Sequence, residues 1–131
     1  MELTTELTVL TLAALLQVVQ IGLFSVTAQG QVGTEYAAGP RDEKRELTGV
    51  AGRLQRAMNN HFEGLILFGI AAVVISVSDQ STTVTQLCAH AYLISRILYV
   101  PAYAQGLTPW RSLIWAVGFV ATVIMLIAAL L

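Results

Sequence analysis

The chain has 131 residues, 56% of them hydrophobic and only 11% charged, where a soluble domain carries about 25% charged residues. So few charges cannot cover a globular surface, which points to lipid as the solvent. A formal net charge of −1 argues against nucleic acid as a partner, because no basic excess exists to neutralise phosphates.

The first predicted element is a helix over about residues 5–28, uncharged from Leu7 to Ala28. The residues ahead of it are acidic, not basic, which predicts a retained membrane helix and not a cleaved signal peptide. Gln17 and Gln20 lie inside it and are expected to hydrogen-bond between helices. A polar loop follows, with Gly30, Gly33, Gly39, Pro40 and the mixed charge run Asp42 to Glu46. The second element is one long helix over about residues 48–78. Its apolar part, Leu65 to Val77, is too short to span alone, and Thr48 to Glu63 is polar on one side. At 1.5 Å per residue it is roughly 46 Å long and must protrude or tilt.

Asp79-Gln80-Ser81 reads as a tight turn into a third helix over about residues 82–104. Arg96 interrupts its apolar run, and Pro101 follows a turn later. Cys88 reads as a small buried hydrophobe, since one cysteine makes neither an internal disulfide nor a zinc site. Gln105-Gly106-Leu107 is a second turn, with Gly106 suited to closing a helix. Thr108 reads as an N-cap and Pro109 as the first residue of a fourth helix, about residues 109–131. The expected fold is all-α, a four-transmembrane-helix bundle forming one membrane domain over residues 1–131.

With four spans, Arg41, Lys44, Arg45, Arg53, Arg56 and Arg111 fall on one side of the membrane, and Glu2, Glu6 and Asp79 on the other. Basic residues favour the cytoplasm, so both termini are expected on the non-cytoplasmic side.

Charges within membrane segments are costly and usually functional. Arg53, Arg56, Asn60 and Glu63 are spaced three, four and three apart, so they share one stripe of the second helix, while His61 points to the far side. Arg96, Tyr99 and Tyr103 form a second stripe, extended one turn deeper by Tyr92, and Arg111 enters at the same end. Two readings follow. Glu63 can neutralise Arg56 or Arg96 as structural glue. Alternatively, four arginines facing one carboxylate leave excess positive charge in low dielectric, which suits a pocket for an anion open to the cytoplasm.

The run Arg53-Leu54-Gln55-Arg56-Ala57-Met58-Asn59-Asn60-His61-Phe62-Glu63 resembles the helix-two signature R-x-x-R-A-x-x-N-x-x-E of the MAPEG family, the membrane-associated proteins in eicosanoid and glutathione metabolism. Ser95 to Tyr103, followed by Arg111-Ser112, resembles the family's third helix and the start of its fourth. The resemblance implies a homotrimer of four-helix protomers, in which glutathione sits between protomers near the cytoplasmic side. It implies that Arg53, Arg56, Asn60, Glu63, Arg96, Tyr99, Tyr103, Arg111 and Ser112 hold glutathione, with Arg111 and Tyr103 acting on its thiol. Gly64 departs from the leukotriene-synthase branch, which has a tyrosine there, and Ser112 matches the serine of the prostaglandin-synthase branch. The short loops resemble bacterial members, which implies an inner-membrane location.

The implied activity is that of a glutathione transferase or peroxidase acting on lipophilic electrophiles or lipid hydroperoxides that enter from the bilayer. A guanidinium and a helix N-terminus beside the sulfur both favour the thiolate, the nucleophilic form. One rival is a family member that binds a lipid or partner without catalysis. Another is a small anion transporter or channel, for which the inverted repeats and broken helix pairs are missing. No metal site is expected. His61 and His90 read as structural or headgroup-facing, and Trp110 and Trp115 as an interfacial aromatic belt, with a place in the pocket wall as the other reading.

Overall fold

A computed structural model describes residues 2–33, 38–40 and 47–131. The basic residues Arg41, Lys44 and Arg45 and the charge run beside them lie outside these. Four helices follow in order: α1 (Thr5–Val32), α2 (Gly49–Val77), α3 (Thr83–Ala104) and α4 (Trp110–Leu130). The expected four-helix membrane bundle is what the chain forms.

Helices α1, α2 and α4 are each long and apolar enough to cross a membrane. Helix α3 is 22 residues long but more polar, and its burial pattern shows how it fits. Its inner face holds Thr85, Tyr92, Ser95, Arg96 and Tyr99, all buried, while Val84, Leu87, Ile94, Ile97 and Leu98 face outward. Apolar outside and polar inside is the arrangement lipid requires. At 1.5 Å per residue the 29-residue α2 is about 43 Å long, against a hydrocarbon core of about 30 Å.

Helices α2 and α3 form the central pair. Helix α1 packs mainly on α2 and α4 mainly on α3. The apolar core, around Val9, Ala13, Phe68, Ala71, Ile75 and Met125, lies at the end of the bundle remote from the arginines. Phe68 stacks on Tyr92 with ring centroids 4.1 Å apart, where this core meets the arginine-bearing half of the bundle.

The termini of the helices explain the turns. Thr4 caps α1 by accepting from the Leu7 amide at 3.1 Å. Helix α2 closes with Asp79 in the left-handed region, the Gln80 amide reaching the Ile75 carbonyl and the Asp79 amide reaching Ser76. Thr82 and Thr85 then form a reciprocal capping box that starts α3. Helix α3 ends the same way as α2, with Gly106 at φ 69°, Leu107 bonded back to Ala102 and Gly106 to Tyr103.

Two boundaries differ from the sequence reading. Helix α1 continues through Gln29-Gly30-Gln31 to Val32, and there the Gln31 side chain bridges to Thr48, donating to its carbonyl at 2.6 Å and accepting from its amide at 3.0 Å. Helix α4 starts at Trp110 with Pro109, not Thr108, at the N-cap. Leu107 and Pro109 carbonyls take the amides of Arg111, Ser112 and Leu113, so the Thr108 hydroxyl caps nothing.

Candidate functional site

The first half of α2, the last turns of α3 and the first turn of α4 meet at one end of the bundle, on the side of the central pair that faces α4. The predicted stripes face each other there. Arg56 Nε donates to the Tyr103 hydroxyl at 3.1 Å. The Arg111 guanidinium carbon lies 4.6 Å from the centre of the same ring, so Tyr103 is held between two cations. Tyr99 meets Tyr103 edge to face at 5.5 Å, and Arg96 lies 4.5 Å over the Tyr99 ring. Arg96 Nη1 donates to Asn60 Oδ1 at 3.0 Å.

These side chains enclose two adjoining cavities. The first, about 280 Å³, is lined by Arg56, Asn60, Tyr99, Tyr103, Arg111, Ser112 and Trp115. The second, about 140 Å³, shares Asn60 and Trp115 and adds Glu63, Tyr92 and Arg96, with an apolar wall that includes Leu67 and Phe119. Trp115 stacks on Phe119 at 5.0 Å and lines both cavities. Its place in the wall follows from its spacing, one turn beyond Arg111 on the same face of α4.

Among the described residues none of the four arginines is paired with a carboxylate. Their contacts are to an amide, a phenol, a backbone carbonyl and aromatic rings. Glu63 lines the second cavity and is exposed. The structural pairing of Glu63 with Arg56 or Arg96 is therefore absent here. Arg96 is the extreme case: it is 3% exposed, and its Nε and Nη2 have no partner.

Eight of the nine predicted ligand-holding residues, all but Arg53, line one or both cavities. Arg53 Nη1 instead donates to the Ala104 carbonyl at 2.9 Å. A Cβ on Gly106 would lie 3.7 Å from Arg53 Nε, so the guanidinium packs on the turn that ends α3. Its charge complements the carbonyl end of that helix.

On the opposite side of α2, His61 Nδ1 is 2.7 Å from Gln17 Oε1 of α1. This is the interhelical bond expected for Gln17, and it takes His61 away from the site. Among the described residues no group of three or more His, Cys, Asp or Glu could hold a metal.

A family model described as "MAPEG family" matches residues 7–131, nearly the whole chain. No curated protein and no solved structure matches it.

Proposed function

This chain belongs to the MAPEG family, and from that premise we propose that it is a glutathione-dependent membrane transferase or peroxidase acting on lipophilic electrophiles or lipid hydroperoxides. Membership makes it an integral membrane protein of the glutathione- and eicosanoid-related class. The observation that carries the finer reading is that guanidiniums from three helices, Arg56, Arg96 and Arg111, line adjoining cavities, and among the described residues no carboxylate is paired to them.

The residues fit glutathione. Its carboxylates suit Arg56 and Arg96, and its ammonium suits Glu63, the carboxylate that lines the second cavity. Asn60 and Ser112 add neutral hydrogen-bonding groups to the same walls. When bound, the tripeptide supplies a thiol whose reactive form is the thiolate.

The chain supplies the field that favours that form. Arg111 sits on the first turn of α4, so its charge and the amide end of the helix act with the same sign. The Tyr103 hydroxyl accepts from Arg56 Nε, which leaves its own proton free to donate into the first cavity. Arg111 and Tyr103 are the pair assigned to the sulfur.

The same reading places the arginine end of the bundle at the cytoplasmic face of a bacterial inner membrane, with both termini across the bilayer. It also takes the assembly to be a homotrimer. The charge asymmetry supports the first statement, and family resemblance supports the second.

Calorimetric titration of glutathione into the purified protein in lipid nanodiscs tests the proposal. Arg56→Ala and Glu63→Ala are each expected to weaken binding about tenfold, the equivalent of about 1.4 kcal/mol. Unchanged affinity in both removes the pocket. A wild type that binds glutathione but turns over no electrophile or hydroperoxide of a broad panel is a binding protein and not an enzyme.

A further inference from the structure

The second cavity ends at a pair of side chains whose hydrogen-bonding capacity is unspent. Arg96 is 3% exposed and Tyr92 2% exposed, and both line the cavity. Arg96 uses Nη1 on Asn60, while Nε and Nη2 have no partner. The Tyr92 hydroxyl has none either.

The identity of the free nitrogens matters. Nε and Nη2 form one edge of the guanidinium, the fork whose two parallel N–H bonds match the two oxygens of a carboxylate. An unpaired buried donor costs about 1–3 kcal/mol, and more for a charged group. Gly64 lines the cavity beside this pair: a Cβ there would lie 3.6 Å from the Tyr92 hydroxyl, at ordinary contact distance. Glu63 lines the same cavity, but it is exposed where Arg96 is buried, so its charge belongs to the mouth and not to the closed end.

We propose that the free edge of Arg96 and the Tyr92 hydroxyl form a carboxylate-binding subsite inside the bundle, distinct from the first cavity with its Arg111 and Ser112. Two sources can deliver that carboxylate. One is the thiol peptide of the proposed function, and to that extent the subsite rests on that reading. The other is an amphipathic carboxylic acid from the bilayer. The exposed Leu67 and Phe119 give the cavity wall a lipid-facing apolar margin along which such a chain can lie. For both sources the recognition is the same: a planar pair of anionic oxygens on a guanidinium fork, with a phenol as third donor.

The test uses full-length protein in nanodiscs and two pairs of probes. One pair is glutathione and its diester. The other is a long-chain fatty acid and its methyl ester. Wild type is expected to prefer at least one free acid over its ester by about tenfold or more. That preference should fall about tenfold in Arg96→Lys, which keeps the charge and loses the fork. It should fall several-fold in Tyr92→Phe, which keeps the ring stacked on Phe68 and loses only the hydroxyl.

Equal binding of acid and ester by wild type, or no binding of either acid, overturns the subsite without recourse to any variant. A preference that survives intact in Tyr92→Phe also overturns it, even if Arg96→Lys fails to fold. The two proposals separate cleanly. Arg96-dependent fatty-acid binding without glutathione binding leaves the subsite standing and removes the transferase reading. Glutathione binding that depends on Arg56 but is indifferent to Arg96 and Tyr92 does the reverse.

Discussion

Arg53 donates to the Ala104 carbonyl at 2.9 Å and thereby completes the hydrogen bonding at the end of α3. The other carbonyls of that last turn are already taken: Pro101 by Gln105, Ala102 by Leu107 and Tyr103 by Gly106. The turn closed in this way lies between Tyr103 and Arg111, the two residues assigned to the thiol. Arg53→Ala is therefore expected to loosen residues 105–112. Hydrogen exchange should rise at the Gly106 and Leu107 amides, with stability lower by about 1–2 kcal/mol. Arg53→Lys keeps a charged donor and should restore most of the protection. If Arg53 touched ligand instead, its loss would weaken glutathione binding and leave exchange at the turn unchanged.

On the proposed function, loss of Arg111 should separate turnover from glutathione binding. Its guanidinium packs on Tyr103, and it lines the first cavity from the first turn of α4. Removing one group that stabilises developing charge costs about a hundredfold or more in turnover. Arg111→Ala should lower conjugation of glutathione to an aryl halide by about that factor. Glutathione affinity measured by calorimetry should change only a few-fold. A variant with undiminished turnover would remove Arg111 from the chemistry.

Gly118 is required by packing. A Cβ at this position would collide with Ser95 Oγ, which is buried and donates to the Tyr92 carbonyl at 2.8 Å. Gly118→Ala is expected to cost about 1–3 kcal/mol through overpacking of α3 against α4. Ser95→Ala removes the atom that is struck, while its Cβ remains at an ordinary contact of 3.6 Å. The double variant should therefore recover most of the lost thermal stability, as read from Tm. Additive losses would show that the two residues do not meet.

Glu6 anchors the other end of the bundle. It is fully buried and accepts from Thr85 at 2.7 Å and from Ser81 at 2.9 Å, at the amide end of α3. Thr4 and Ser76 add a bond between α1 and α2 at 2.6 Å. Glu6→Ala should destabilise the fold by about 1–3 kcal/mol, because it removes the buried acceptor that ties α1 to the start of α3. Glu6→Gln keeps an acceptor and should cost less. Neither change should alter glutathione affinity, since the anchor lies at the end of the bundle remote from the arginines. A shift in affinity would mean that the two ends are coupled.

Much of the fold was legible because lipid imposes simple rules. Long uncharged runs identify α1 and α4, and the Asp79 and Gly106 turns follow from residues that tolerate left-handed backbone. The end of α1 was not legible. Gln29-Gly30-Gln31 has loop composition, and its tie to Thr48, seventeen residues from Gln31, exists only in the folded chain. The stripes on α2 and α3 were legible from spacing alone. Arg53 was not separable from its neighbours, because residues on one stripe share a direction but not a depth. Its distance to Ala104 is a property of the folded turn.

The sequence by itself determined that this is a membrane helix bundle with arginines, tyrosines and one acid at a common end, because periodicity and hydropathy are local properties of a chain. Only the tertiary structure decided how those groups are spent. Arg53 closes a helix, Arg56 and Arg111 flank Tyr103, Glu63 stays unpaired, and Arg96 is buried with a free edge. Those outcomes depend on distances between separate helices and on exclusion of water. Both arise only when the elements pack.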